Sequence, residues 1–236
     1  MNKGVIDIGN TRCKLAVFNQ QGQIIAQKIF KTLSPGLDWL IRQKVSSIIA
    51  SSVSLKVPRS HKGIPILNVS TDLKLNFINH YQSKTLGADR LCGIAAAVET
   101  YPKCPILIID IGTCVTIDLV NAQGEYLGGN ISPGLLMRLK AMHSMTQKLP
   151  LVKLNEAKLS LGQTTRSAIA NGTLIGLQNE LLGYIEHYNT QYKALKIVVC
   201  GGDASHFVFP AKYKIFVHEY LVLQGLYALL KINEKL

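Results

Sequence analysis

Apolar residues along this chain gather in short runs that end at glycine or asparagine turns, and the opening run returns near the middle. Val5-Ile6-Asp7-Ile8-Gly9-Asn10-Thr11 and Ile108-Ile109-Asp110-Ile111-Gly112-Thr113 each enter an Asp-Ile-Gly-polar turn. An alternating segment follows each turn, Cys13 to Phe18 and Thr116 to Val120, with the two-residue period of a strand. Asn19-Gln20-Gln21-Gly22 and Asn121-Ala122-Gln123-Gly124 then predict tight turns with positive φ at the glycine. A third apolar piece, Gln23 to Ala26 or Tyr126 to Gly129, completes a three-strand meander in each copy. The copies lie 103 residues apart at the aspartates and 102 apart after a one-residue slip, the trace expected of an internal duplication.

The remaining pattern predicts a short helix over 36–44 and a buried strand over 47–53. A helix over 87–100 stops before Tyr101-Pro102, where proline disfavours continuation. Further helices are expected over 133–145, 164–188 and 219–232, with a strand over 197–200. Strands and helices alternate in both halves, so an α/β protein of two similar domains, 1–104 and 105–236, is expected.

Composition narrows the class. With 236 residues and 47% hydrophobic content the chain can bury a substantial core, and with 17% charged residues and no low-complexity stretch it should fold throughout. No apolar run approaches the roughly 20 residues that span a bilayer, and the Met-Asn-Lys-Gly start lacks the features of a signal peptide. Cys13, Cys92, Cys104, Cys114 and Cys200 form an odd set without a CxxC pair, which fits a reducing cytoplasm. The six histidines lack metal-ligand spacing. A net charge of +12 would suit a polyanion, but the 26 basic residues are dispersed without a stripe interleaved with aromatics, so nucleic-acid binding is not expected. A phosphorylated small ligand benefits from the same charge.

A glycine turn between two strands lets backbone N–H groups approach an anion, and Asn or Thr side chains add donors. Asp7 beside such a turn suits the water shell of Mg²⁺, which keeps several waters and takes one or two carboxylates with phosphate oxygens. Lys14 is placed to neutralise phosphate charge. A single Asp-Ile-Gly-Asn-Thr turn is also an ordinary hairpin; two copies are suited to holding both ends of a nucleotide phosphate chain. Neither is a Walker loop or a GxGxxG fingerprint. Leu86-Gly87-Ala88-Asp89-Arg90 puts a carboxylate and a guanidinium at a helix start, where the dipole favours negative charge. There Asp89 is suited to accept an alcohol proton during phosphoryl transfer and Arg90 to bind a substrate carboxylate, although an Asp cap with a surface Arg has the same sequence. Gly128 to Gly134 reads as a flexible turn before a helix, and Gly201-Gly202-Asp203 as a strand end where a base or ribose packs closely.

The ordered set Asp7-Ile-Gly-Asn-Thr11, Gly87-Ala-Asp-Arg90, Asp110-Ile-Gly-Thr113, Gly128-Gly-Asn-Ile-Ser-Pro-Gly134, Thr165 to Gly172 and Gly201-Gly-Asp203 closely resembles type III pantothenate kinase over essentially the whole chain. The resemblance implies two duplicated ribonuclease-H-like domains of the actin, sugar-kinase and heat-shock ATPase superfamily, with ATP in the cleft between them. It implies phosphorylation of pantothenate to 4′-phosphopantothenate, the first step of coenzyme A synthesis, with Mg²⁺, a monovalent cation such as K⁺ or NH₄⁺, and a homodimer. By resemblance Asp7, Ile8, Gly9, Asn10, Thr11, Arg12, Cys13 and Lys14 match the phosphate-binding segment, and Thr113 a second nucleotide contact. Asp110 matches the monovalent-cation ligand, and Gly87, Ala88, Asp89 and Arg90 the pantothenate tetrad with Asp89 as base. Thr165 matches a substrate contact near the dimer interface.

This chain departs from the family where a Tyr followed by Pro is usual: it reads His80-Tyr81-Gln82-Ser83 without the proline, and Tyr81 takes the place of the substrate contact. Cys114 and Cys200 stand where Ala and Thr are common, and both keep the position small. Two other readings share parts of the pattern: an idle family member acting as an accessory regulator, and a sugar or polyphosphate kinase of the same superfamily, which would lack the Gly-Ala-Asp-Arg tetrad.

Overall fold

Within residues 1–9, 11–52, 55–83 and 85–234, which the computed structural model describes, the repeated sequence pattern becomes a repeated sheet. Strands β1 (Lys3–Ile8), β2 (Cys13–Phe18) and β3 (Ile24–Phe30) form the expected antiparallel meander. Strand β4 (Ile48–Ser52) lies parallel beside β1, and beyond it come β5 (Ser60–His61) and β6 (Ile64–Asn68), giving the order β3-β2-β1-β4-β6-β5. The second sheet contains β7 (Ile78–Asn79), β8 (Ile106–Ile111), β9 (Cys114–Val120), β10 (Glu125–Pro133), β11 (Lys196–Cys200) and β12 (Ile215–Val217). Its order, β12-β11-β8-β9-β10-β7, repeats that of the first from β10 to β12, strand for strand. Gly22 and Gly124 take φ of 79° and 76° at the equivalent turns, a conformation that costs glycine nothing.

The helices are α1 (Leu33–Arg42), α2 (Ala88–Thr100), α3 (Leu135–Ser144), α4 (Thr165–Gln191) and α5 (Leu221–Asn233). The chain packs as two compact units. One holds Met1–Lys103, Val120–Leu127 and the chain from Tyr220 onward; the other holds Cys104–Leu119 and Gly128–Glu219. In the first, Ile6, Ile8, Leu15 and Val17 meet Leu37 and Leu40 of α1 on one sheet face. On the other face α5 packs against β1 and β4, and α2 against α5. Helix α5 thus joins the first unit, because Gly225 lets it approach α2 so closely that an added Cβ would lie 1.8 Å from the Cys92 carbonyl oxygen. In the second unit Leu107, Ile109, Ile111, Val115 and Ile117 pack on Leu177, Leu181 and Ile185 of α4.

Strands β5, β6, β7 and β12 are missing from the sequence expectation. Pro65 marks β6 as a poor strand, but its parallel ladder with β4 begins only at Ile66, and toward β5, where Pro65 stands opposite Ser60, it is the next residue, Ile66, whose N–H donates, to the Arg59 carbonyl at 2.9 Å. Gly128 to Gly134, expected as a flexible turn, instead continues β10 through Pro133, with Gly128 absorbing a φ of 127°.

Candidate functional site

Strand alternation places the first set of polar groups. Ile6 and Ile8 of β1, Ala50 of β4, and Cys13 and Leu15 of β2 face the α1 core. Their neighbours Asp7, Ser51 and Lys14 therefore share the opposite face, where Asp7 pairs in register with Lys14 on one side and Ser51 on the other. The turn that follows β1 is closed by Gly9 N–H donating to the Arg12 carbonyl at 3.1 Å. A Cβ on Gly9 would meet only that carbonyl, at 3.6 Å, so the turn is open to a ligand on its glycine side among the described residues. Thr11 and Arg12 are exposed, Ile8 and Cys13 are buried, and Asn10 lies outside the described residues.

Burial among protein groups raises the Asp7 carboxyl from its ordinary 3.8 to about 6. Lys14 opposes the rise, Asp89 adds to it through like charge, and Ser51 weakly opposes it. Asp7 and Asp89 also both push up the buried Cys92 thiol, after desolvation as the main cause. The two acids thus converge on one side of α2. A lone buried acid repelled by a second acid is an unfavourable arrangement in the absence of a cation, and a hard oxygen donor beside a lysine and an open glycine turn fits Mg²⁺ carrying phosphates.

Asp89 sits in the first turn of α2, and its Oδ1 accepts from the Arg90 N–H at 2.8 Å. Gly87 leaves room for this position of the carboxylate, since a Cβ would come 2.5 Å from Asp89 Oδ1. The Arg90 side chain turns inward and is only 7% exposed. Its Nη2 donates to the Tyr126 hydroxyl at 2.7 Å, and its guanidinium carbon stands 5.5 Å from the centre of the Tyr81 ring. Tyr81 is stacked on Tyr126 at 6.0 Å. Asp7, Lys14, Gly87, Ala88, Asp89, Arg90 and Tyr81 thus all belong to the first unit, with Tyr126 added. Sequence reading took Tyr126 only as an apolar strand residue; its signal was an aromatic at an inward strand position, which by itself marks a core.

Asp110, Thr113 and Thr165 belong to the second unit. Gly112 N–H donates to the Cys114 carbonyl at 3.0 Å and Gly134 N–H to the Thr113 carbonyl at 3.1 Å, so the second turn is tied at both ends. Gly201, with φ of 97°, brings its backbone so close that a Cβ would lie 2.5 Å from Asp110 Oδ1 and 2.2 Å from the Ile111 carbonyl. The close approach that Gly201 permits is to this protein backbone. Thr165 begins α4 and is exposed, on a different element from Asp110 and Thr113. Among the described residues no group of three or more His, Cys, Asp or Glu is placed to hold a metal ion alone. No helix of the described residues is long and apolar enough to cross a membrane.

The same fold occurs in solved proteins that bind nucleotides. The activator of the 2-hydroxyisocaproyl-CoA dehydratase from Clostridium difficile, with bound ADPNP, superposes with a TM-score of 0.54 at 14% identity, covering 100% of this chain and 97% of that one. A ROK family glucokinase from Streptomyces griseus, in complex with glucose and AMPPNP, gives 0.54 at 10% identity over the full length of both. The fold is therefore that of the actin-like ATPases and kinases, two ribonuclease-H-like domains in one chain. The family model for type III pantothenate kinase matches residues 5–187. A type III pantothenate kinase from Phocaeicola vulgatus is 37% identical over 242 residues, 98% of this chain and 99% of the relative. The chain belongs to the type III pantothenate kinase family, and is an enzyme of the kinase class.

Proposed function

We propose that this chain transfers the γ-phosphoryl group of ATP to the primary hydroxyl of pantothenate, giving 4′-phosphopantothenate and ADP and opening coenzyme A synthesis. The observation that carries the reading is the pair Asp7 and Asp89, two carboxylates close enough to feel each other's charge, one beside an open glycine turn and the other beside an inward-turned arginine. Phosphoryl transfer needs positioning and charge neutralisation more than covalent help. Mg²⁺ on the nucleotide would supply that neutralisation, with Asp7 holding it through water and Lys14 meeting phosphate oxygens. Gly9, Thr11 and Arg12, with Ile8 and Cys13 framing them, form the phosphate turn, to which Asn10 belongs by sequence, and Thr113 is a second nucleotide contact.

Asp89 accepts the proton of the attacking hydroxyl as the oxygen–phosphorus bond forms and ADP leaves. Arg90 binds the acceptor's carboxylate, Tyr81 closes over it, and Gly87 and Ala88 give it access. Asp110 holds a monovalent cation, K⁺ or NH₄⁺. Thr165 belongs to a homodimer in which the acceptor site is completed; Ile131, Leu136, Leu159 and Leu161 of the same unit are exposed apolar side chains that an interface would cover. Five free cysteines are consistent with a cytoplasmic setting.

The test is ADP release by the purified protein with ATP and Mg²⁺, with and without pantothenate, in K⁺ and in Na⁺ buffers. Release that depends on pantothenate and is faster in K⁺ is expected. Equal release without pantothenate, or with a hexose in its place, overturns the acceptor; equal rates in K⁺ and Na⁺ overturn the cation.

A further inference from the structure

Strand β7 is only two residues long and forms the edge of the second sheet. The N–H groups of Ile78 and His80 donate to the Gly124 and Tyr126 carbonyls, at 3.0 and 3.1 Å. Successive N–H groups of a strand point to opposite sides, so that of Tyr81 faces away from β10, toward the edge where no further strand pairs. Asn79 Oδ1 accepts it at 3.0 Å and closes an Asx turn in place of a ladder bond. The chain leaves the sheet at this turn, and among the described residues neither helix nor strand follows before α2 begins at Ala88.

The turn decides where the Tyr81 ring is delivered. The ring lies on the Tyr126 ring at 6.0 Å, 27° from parallel. Stacking sets the plane of the ring, and the Asn79 bond sets the backbone that carries it; an aromatic side chain on a stretch without regular structure needs both to occupy one place. A site that is competent for only part of the time binds its ligand more weakly by that fraction, so a wall already in place before the ligand arrives lowers the cost of binding. We propose that Asn79 is a positioning residue for the acceptor: its amide oxygen folds the chain after β7 so that Tyr81 stands ready as a wall of the acceptor site. The proposal rests on the reading that Tyr81 closes over the acceptor.

Asn79→Ala removes the oxygen at a sheet edge, and Asn79→Asp keeps one in the same place, since aspartate closes the same turn. Asn79→Ala is expected to raise KM for pantothenate about fivefold, the scale of one lost hydrogen bond, while kcat and KM for ATP stay within about twofold. Asn79→Asp should return KM for pantothenate to within about twofold of wild type. In a Tyr81→Ala background, Asn79→Ala should add nothing. If Tyr81→Ala keeps the wild-type KM for pantothenate, the reading of Tyr81 fails and the proposal with it. If Tyr81→Ala raises that KM while Asn79→Ala leaves it unchanged, or if Asn79→Ala raises it just as much without the Tyr81 ring, the role of Asn79 alone fails. Unfolding of Asn79→Ala, or an equal rise in KM for ATP, would also overturn it, since the amide oxygen would then serve the fold.

Discussion

Ser51 stands beside Asp7 in the parallel register of β1 and β4, and its hydroxyl is wholly buried without a hydrogen-bond partner among the described residues. It nonetheless favours the charged form of the Asp7 carboxyl slightly, the smallest of the influences on that group. A buried hydroxyl that donates to nothing usually costs more than it returns. At this position its use is electrostatic. Ser51→Ala should stabilise the fold by about 1 kcal/mol and at the same time raise the pKa of Asp7. The acid limb of kcat/KM for ATP, which reports the free enzyme, should then move to higher pH. Denaturant melts and a pH–rate profile check both halves; an unmoved acid limb would leave Ser51 without influence on Asp7.

The Asp7 carboxyl gives a sharper test, because its shift has a sign. Its folded pKa, about 6, lies above the ordinary 3.8, chiefly through desolvation. The folded state therefore holds this proton more tightly than the unfolded chain. The resulting stability is fully present below pH 3.8 and is lost as pH rises through 6. A shift of this size corresponds to about 3 kcal/mol. Asp7→Asn, which cannot ionise, should show a stability relative to wild type that improves by on the order of 2 to 3 kcal/mol between pH 4 and pH 7.5, while nucleotide-dependent turnover disappears. Urea unfolding at the two pH values measures it. A constant difference between the two proteins would mean that Asp7 titrates normally.

Gly87 and Asp89 show how a site residue can be disturbed without disturbing the fold. A Cβ at Gly87 would strike Asp89 Oδ1 at 2.5 Å, with the next neighbours at 3.7 and 3.8 Å, and no positive φ is involved. Only the carboxylate has to turn away. Gly87→Ala should leave the melting temperature nearly unchanged and lower kcat by about 10- to 100-fold, short of the loss in Asp89→Asn, where removal of a general base costs about 10²- to 10⁴-fold. Both variants should still bind ATP. Wild-type turnover in Asp89→Asn would remove it from the reaction.

The duplicated meander was legible because strands and tight turns are local: apolar alternation together with Gly22 and Gly124 specifies two hairpins without reference to anything distant. The helix over Ala88–Thr100 was equally plain, bounded by Tyr101-Pro102. What the pattern did not carry was contact across long separations. Leu221 to Asn233 reads as an apolar helix, but nothing in it says that it joins the first unit; that depends on Gly225 meeting Cys92. Tyr126 read as strand filling, and its hydroxyl gained meaning only when Arg90, 36 residues earlier, was seen to donate to it. Gly128 to Gly134 reads as a turn because glycine and proline ordinarily interrupt strands, whereas the strand continues with one glycine at positive φ. For the site, sequence supplied the residue types, and packing supplied the neighbours that perturb Asp7.

Gly225 tests whether that long-range packing supports the acceptor residues. Helices α2 and α5 meet at backbone distance: a Cβ at Gly225 would lie 1.8, 2.4 and 2.9 Å from the Cys92 carbonyl oxygen, carbonyl carbon and Cα. These are backbone atoms of a helix interior, so relief requires the two helices to separate. Gly225→Ala should cost about 2 to 4 kcal/mol, at or above the usual range for overpacking, because no side chain can rotate aside. Gly183, in the middle of α4, is the control. A Cβ there would meet nothing within 4 Å, so Gly183→Ala should gain up to about 1 kcal/mol from helix propensity. Helix α2 carries Asp89 and Arg90 in its first turn, so the Gly225 variant should also lose acceptor affinity before it loses fold. Thermal melts of the two alanine variants, with KM for pantothenate measured below the melting temperature of each, would show it; equal stability of the two would mean that α2 and α5 pack less closely than the backbone distances require.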